Sequence, residues 1–204
     1  MKVVLWCNGV LPNASAVDRA LAGEVLIYGV DGGADKAKSM GFEVSEALGD
    51  MDSIDISSWS GKMKVLPDQD RSDLSKALEY VNSIGVTEVD IVGVEGGDYG
   101  HVFGTMASLT EAPERMKIRI HFESGVLYFS SPSNGGFEMH ISVGQKFSVF
   151  ALAPSKSTSV IGGKWILENE ALSFSTRGLS NEGMGSLVTV SSDAPMAIFV
   201  NDSI

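Results

Sequence analysis

Aspartate is the residue type whose placement in this chain points to chemistry. Asp31-Gly32-Gly33-Ala34, Gly49-Asp50-Met51-Asp52-Ser53 and Asp68-Gln69-Asp70-Arg71-Ser72-Asp73 each follow a short β-prone run. In extended backbone the i, i+2 spacing of Asp50 and Asp52 turns both carboxylates to one side. Two hard oxygen ligands aimed at one point suit Mg²⁺, which commonly takes one or two carboxylates together with phosphate oxygens and water. Gly32 and Gly33 allow close backbone approach, and the N–H groups of a first helical turn can receive phosphate oxygens. Each segment alone also has a blander reading: a glycine turn with Asp31 near an N-cap, a polar turn at Asp50, an acid stabilising the start of a helix. None of these accounts for so many aspartates at strand ends. Converging carboxylates raise one another's pKa unless a divalent ion relieves the repulsion, and such an ion also screens a polyphosphate. Metal-dependent phosphate chemistry is the inference.

A further glycine-rich turn, Val94-Glu95-Gly96-Gly97-Asp98-Tyr99-Gly100, leads into a helix that opens with His101 and carries Thr105 one turn later. His101 falls at the same sheet end as the aspartates, so a ligand role and a structural one both stand. His121 and His140 lie in β-like runs and read as structural or exposed. No Gly-x-x-x-x-Gly-Lys-Ser/Thr stretch is present, so a P-loop is not supported.

The elements that must position these residues show in the patterning. Up to about residue 125, β-rich runs (Val3 to Trp6, Val25 to Val30, Ala47-Leu48, Lys64 to Leu66, Val89 to Val92) alternate with helical stretches (Ala14 to Ala22, Ala34 to Met40, Asp73 to Ser83, Tyr99 to Glu111). This rhythm predicts an α/β domain with a mainly parallel sheet, whose ligands bind beyond the carboxyl ends of the strands. Leu74, Ala77, Leu78 and Val81 recur at i, i+3, i+4 and i+7, a stripe for packing on a sheet. After Ser130-Ser131-Pro132-Ser133-Asn134-Gly135-Gly136 no helical stripe returns. Short β-prone runs follow (Phe137 to Val143, Lys146 to Leu152, Trp165 to Leu167, Leu187 to Val190, Met196 to Val200), predicting a small all-β, sandwich-like domain. The expected domains are residues 1–131 and 132–204.

Composition narrows the partners. The 204 residues are 44% hydrophobic, enough for a sizeable core, and their formal charge of −11 counts against nucleic-acid or anionic-membrane binding. Cys7, the single cysteine, rules out an internal disulfide and fits a cytoplasmic setting. Met1 to Cys7 faintly imitates a signal peptide, but Asn8-Gly9 cut the apolar run short and a first β-strand fits better. No stretch approaches the roughly 20 apolar residues of a membrane helix.

In this order the segments resemble the thiamine pyrophosphokinase family. Asp31-Gly32-Gly33-Ala34 is similar to its Asp-Gly-Gly-Ala opening, Gly49 to Ser53 to its Gly-Asp-Phe-Asp-Ser, and Asp68 to Asp73 to its Asp-x-Asp-x-Thr/Ser-Asp. Later, Gly163-Lys164-Trp165-x-Leu167 and Gly178-Leu179-Ser180-Asn181 resemble its Gly-x-Lys-Trp/Tyr-x-Leu and Gly-x-Ser-Asn segments. The resemblance implies a Mg²⁺-dependent transferase that moves pyrophosphate from ATP to thiamine, releasing AMP. It also implies a homodimer with active sites shared between subunits. It assigns Asp50, Asp52 and Asp73 to catalysis and the metal; Asp31, Gly32, Gly33, Asp50, Ser53, Asp70, Gly97, His101 and Thr105 to ATP; and Gln69, Asp73, Trp165, Ser180 and Asn181 to thiamine. An aromatic face suits a cationic thiazolium. One departure stands out. Where the family has Gly-Gly-Arg-x-Asp-His, this chain reads Gly96-Gly97-Asp98-Tyr99-Gly100-His101, without the arginine expected to hold phosphate unless Lys36, Lys38, Arg71 or a partner's side chain replaces it. The departure leaves two alternatives: a non-catalytic thiamine-binding paralogue, or a pyrophosphokinase for another hydroxyalkyl heterocycle such as a pterin.

Overall fold

The β-prone runs of the first half form strands β1 (Lys2–Trp6), β2 (Leu26–Val30), β3 (Glu46–Gly49), β4 (Lys62–Val65) and β5 (Glu88–Val92), interleaved with helices α1 (Ala14–Ala20), α2 (Gly33–Ser39), α3 (Asp73–Ser83) and α4 (Tyr99–Thr110). The computed structural model describes residues 1–54, 57, 59 and 61–202. Its contacts divide the chain into two units, Met1–Met116 with Ile120–Glu123, and Lys117–Arg119 with Ser124 onward.

In the first unit β1 pairs in parallel with both β2 and β5, β2 with β3, and β3 with β4, giving the order β4-β3-β2-β1-β5. The sheet grows outward from β1 in one direction and then resumes on its other side at β5. That reversal makes the carboxyl ends of β1 and β5 a topological switch point, where loops part and leave a crevice. The stripe predicted on α3 is buried, with Leu74, Ala77, Leu78 and Val81 all turned inward. Val4, Trp6, Val17, Ala20, Ile27, Ala37 and Val92 form a core layer, and Ala34, Ala47, Met51 and Ile54 a second cluster. Each of α1, α3 and α4 has a side-chain N-cap, supplied by Asn13, Ser72 and Asp98.

The second unit is all β, and its two sheets close on one core. Strands β7 (Gly125–Ser130), β9 (Lys146–Ala151), β12 (Asn181–Glu182) and β14 (Met196–Asn201) run in the order β12-β9-β14-β7. Strands β8 (Phe137–Ile141), β10 (Ser155–Ile161), β11 (Leu167–Leu172) and β13 (Ser186–Ser192) run β11-β10-β13-β8. Phe137, Ile141, Phe147, Val149, Val160, Leu172, Val188, Val190, Met196 and Ile198 pack between them.

The units part ahead of the serine–glycine run at 130–136, because β7 pairs antiparallel with β14 along its whole length, from Gly125 opposite Asn201 to Ser130 opposite Met196. A strand β6 (Lys117–Phe122) precedes it, its residues divided between the two units. Two strands depart from the sequence patterning. β10 is too polar to read as a strand, yet Ser155, Thr158 and Val160 point inward. The strand expected at Trp165 to Leu167 instead begins at Leu167 and continues through Glu-Asn-Glu-Ala-Leu, helix-favouring residues held extended by pairing with β10. Between Thr158 and Val160 that ladder shifts register opposite Asn169, which takes a φ of 52° and donates its N–H to Ser159 Oγ at 3.0 Å, a β-bulge.

Candidate active site

The switch point of the first unit opens into a cavity of about 680 Å³. Its floor is the continuation of the β1–β5 ladder past the strand ends, where Cys7 N–H donates to Val92 O at 2.9 Å and Gly9 N–H to Gly93 O at 2.6 Å. Around it stand Asn8, Val10, Asp31, Lys36, Asp52, Ser53, Ser72, Asp73, Gly97, His101, Thr105 and Ser108, from loops and helix starts at the same sheet end.

The aspartates arrive there by strand pairing. Asp31 N–H donates to Leu48 O at 2.7 Å, extending the β2–β3 ladder by one rung and setting Asp31 beside Gly49. A side chain at Gly49, whose φ is 151°, would reach 3.3 Å from both Asp31 Cβ and Asp73 Oδ1, so glycine lets these acids close in. Asp31, Asp50 and Asp52 each offer a carboxylate oxygen, all within 4.8 Å of one another. Asp31 is buried at 7% exposure, Asp50 half-buried and Asp52 exposed, so the group grades from interior to solvent. Asp31 (φ 49°) and Met51 (φ 70°) are two of four non-glycine residues in the left-handed region among the described residues. Aspartate tolerates that conformation, but methionine there marks strain concentrated at the cluster.

Burial and local donors shift Asp31 and Asp50 in opposite directions. Burial pushes the Asp31 carboxyl above its ordinary value and the nearby Asp73 charge adds to this, while hydrogen bonds, chiefly from Ser53, oppose it. Asp50 is held below its ordinary value, first by Gln69 Nε2 at 3.3 Å and then by the Asp52 N–H at 3.3 Å. Ser53 Oγ donates to Asp52 Oδ1 at 2.8 Å. Asp73 is ion-paired with Lys76 at 2.7 Å, and the buried Lys76 ammonium also donates to Asp68 O at 3.0 Å. The Cys7 thiol, pushed up to about 12 by burial and then by Asp73, is an inert wall of the cavity.

The structure thus brings Asp31 together with Asp50 and Asp52. Asp73 lies close by with its carboxylate engaged by Lys76. Ser53, Gly97, His101 and Thr105 line the cavity. Gln69 meets Asp50 from outside it, and Asp70 is exposed, its N–H turned back to Asp68 Oδ1 at 2.9 Å. Thr105 donates its hydroxyl to His101 O at 3.0 Å. Gly32 and Gly33 serve packing first. A Cβ at Gly33 would lie 1.9 Å from Trp6 O, and one at Gly32 would lie 2.5 Å from the Asn8 side chain.

Asp98, at the position of the expected arginine, caps α4 by accepting the Gly100 N–H at 3.0 Å. Of the cations that could replace that arginine, Lys38 sits over Trp59 at 5.5 Å, and Arg71 is tied to Asp68 at 2.9 Å and Glu79 at 2.6 Å. Lys36 alone of the three lines the cavity. Sequence reasoning missed Asn8 and Gly9 as site residues, although Asn8-Gly9 follows a strand just as the aspartate segments do.

In the second unit, Asn181 is buried and its amide fixes Trp165. Oδ1 accepts the Trp165 N–H at 3.1 Å and Nδ2 donates to Trp165 O at 2.7 Å. The indole is left 55% exposed, with Lys164 Nζ 5.0 Å from its ring. Ser180, exposed at a φ of 59°, donates its N–H to Ser148 Oγ at 3.0 Å.

Comparison with known proteins matches both halves. The family description "Thiamin pyrophosphokinase, catalytic domain" covers residues 17–122, and "Thiamin pyrophosphokinase, vitamin B1 binding domain" covers residues 137–197. Thiamin pyrophosphokinase 1 of Caenorhabditis elegans is 28% identical over 137 residues, 62% of this chain and 56% of that protein, so the match spans just over half of the relative's length. The crystal structure of thiamine pyrophosphokinase from Bacillus subtilis aligns over 100% of both chains with a TM-score of 0.82 at 20% identity. That of thiamin pyrophosphokinase from Geobacillus thermodenitrificans aligns over 100% of this chain and 99% of its own with a TM-score of 0.79 at 25% identity. The Candida albicans enzyme aligns at 0.77 and 12% identity, over 99% of this chain and 90% of its own. With the catalytic-domain description alone spanning more than half of its residues, the chain belongs to the thiamin pyrophosphokinase family.

Proposed function

We propose that the protein transfers pyrophosphate from ATP to thiamine, giving thiamine diphosphate and AMP, in a Mg²⁺-dependent reaction. The observation that carries this reading is the gathering of Asp31, Asp50 and Asp52, of which Asp31 and Asp52 line the switch-point cavity. Three hard carboxylate oxygens within 4.8 Å suit a cation that prefers oxygen, and a buried Asp31 resisting ionisation is what a site completed by a cation predicts. A bound Mg²⁺ would supply neutralisation of the triphosphate charge.

The chain's own residues do the positioning. The cavity holds the triphosphate between the β1 and β5 loops, with Ser53, Gly97, His101 and Thr105 beside it. Asp73, fixed by Lys76, orients the thiamine hydroxyl and accepts its proton as the oxygen attacks the β-phosphorus. The bond from that phosphorus to the α-bridging oxygen breaks, and AMP leaves with the bridging oxygen. Such transfers depend on alignment and charge stabilisation. Gln69 serves the thiamine side. Trp165 and Ser180 would meet thiamine from the partner subunit of a homodimer, with Asn181 holding Trp165 in place. A reducing, cytoplasmic setting suits a chain whose sole cysteine is a buried thiol.

Asp98 in place of the arginine favours a second reading, a thiamine-binding relative that no longer uses ATP. One experiment separates the two. Purified protein incubated with ATP, Mg²⁺ and thiamine is analysed by mass spectrometry, and AMP and thiamine diphosphate are expected in equal amounts. Folded protein that binds thiamine by calorimetry and forms neither product would overturn the kinase reading. A panel including hydroxymethylpterin tests the acceptor.

A further inference from the structure

Among the described residues, every acid that lines the cavity, Asp31, Asp52 and Asp73, repels a phosphate chain, and the residue where an arginine is expected is itself an aspartate. Among the described lining residues Lys36 is the only lysine or arginine. Its ammonium is seated by two backbone carbonyls at the end of β1, Asn8 O at 2.7 Å and Gly9 O in still closer contact. Both acceptors are neutral, so they fix the group without cancelling its charge. An ammonium has three donors, and this seat engages two. Lys76, a buried lysine nearby, is neutralised by Asp73, while the half-buried Lys36 has no carboxylate among its two acceptors, and Lys38 and Arg71 are held by an indole face and by two carboxylates.

We propose that Lys36 is the side chain that binds the triphosphate of the nucleotide in this protein, doing from α2 and the β1 loop what an arginine at residue 98 would otherwise do from the start of α4. The inference rests on the ATP-dependent reading of the cavity and adds the residue on which phosphate affinity depends. A cation tethered to backbone loses little side-chain freedom on binding, which favours a fixed point charge over a mobile one. It also couples anion binding to the Asn8-Gly9 loop, because the same ammonium holds both.

The test is calorimetric titration with inorganic triphosphate in Mg²⁺ buffer, comparing wild type with Lys36→Gln and Lys36→Arg. Glutamine keeps an N–H donor for the Asn8 and Gly9 carbonyls but removes the charge, which separates phosphate binding from loop anchoring. Lys36→Gln should weaken triphosphate binding by roughly 10- to 100-fold, the range for losing one charged hydrogen bond. Its affinity should also depend less on ionic strength than the wild type's, and Lys36→Arg should retain most of the affinity. Adenosine binding and the thermal midpoint should stay close to wild type. Unchanged triphosphate affinity in Lys36→Gln overturns the proposal, as does a wild type that binds no triphosphate. Product assays on the same samples keep the two readings apart. Lys36-dependent triphosphate binding without thiamine diphosphate formation would sink the kinase reading and leave this one standing. Full turnover in Lys36→Gln with an unchanged KM for ATP would do the reverse.

Discussion

Asp31 carries two marks of a residue shaped by what it binds more than by folding: a buried carboxyl that resists ionisation, and a backbone φ of 49°. A folded-state pKa above the unfolded value means the native protein holds that proton more tightly, so Asp31 takes stability away as pH rises from 3.8 through its folded pKa. Asp50 has the opposite sign. Its pKa is lowered by Gln69 and the Asp52 N–H, and its stabilisation is present above 3.8 and lost as pH falls through the folded pKa. Asp31→Asn, which tolerates the same φ and can still accept from Ser53, should therefore raise the Tm of metal-free protein at pH 7. A gain of about 1 kcal/mol corresponds to roughly 2–4 °C in a domain of this size. The advantage should shrink as pH approaches 4, and Mg²⁺, expected to raise the Tm of the wild type, should leave that of the variant unchanged. Scanning calorimetry with and without Mg²⁺ reads both effects. A lower Tm in the metal-free variant would show that the carboxylate serves the fold.

Among the elements, α4 shows how a charge can be reassigned. Asp98 accepts from Gly100 N–H and sits at the positive end of the helix dipole, a favourable place for an anion. Asp98→Ala should cost about 1 kcal/mol, seen as a lower midpoint in urea unfolding, whereas Asp98→Asn should stay near wild type. Equal stability of the alanine variant would mean that the cap contributes nothing. The extent of α3 was legible from an apolar stripe with the helical period and an acid, Asp73, in its first turn; the structure adds the N-cap, Ser72, which accepts from Ser75 N–H at 3.1 Å. The parallel strands β1, β2, β3 and β5 were legible as apolar runs, whereas β4, Lys-Met-Lys-Val, is exposed throughout. β11 was not, since Leu-Glu-Asn-Glu-Ala-Leu favours a helix until β10 lies beside it. In the site, the carboxylates announced themselves by spacing. The company they keep depends on non-local pairing: Asp31 joins Asp50 and Asp52 through a rung between β2 and β3, and Asp73 takes Lys76 one turn along α3.

For the whole molecule, each unit leaves large apolar side chains in solvent. Tyr99 and Phe103 are 83% and 70% exposed on one turn of α4, while Trp165, Ile166, Phe174 and Leu179 are each more than half exposed in the β unit. Such surfaces suit association, and the proposed thiamine site requires it. Two copies each carrying −11 repel one another, so self-association should strengthen with salt. Sedimentation velocity at about 0.15 M salt, a Debye length of about 8 Å, should show a dimer whose dissociation constant falls further as salt is added. A monomer under all these conditions would remove the shared-site arrangement, leaving the cavity chemistry of the first unit to be judged alone.

The packing of Gly33 against Trp6 O has a consequence for reading ancestry. At 1.9 Å, no side chain can enter there without moving α2 off β1, and a Cβ at Gly29 would similarly lie 2.3 Å from Ala34 Cα. Mutational drift after a loss of catalysis would therefore spare these glycines, because the fold itself rejects their replacement. Inherited glycine signatures in this lineage document architecture. The solvent-facing acids, whose loss the fold would tolerate, are the positions that record whether a descendant still works.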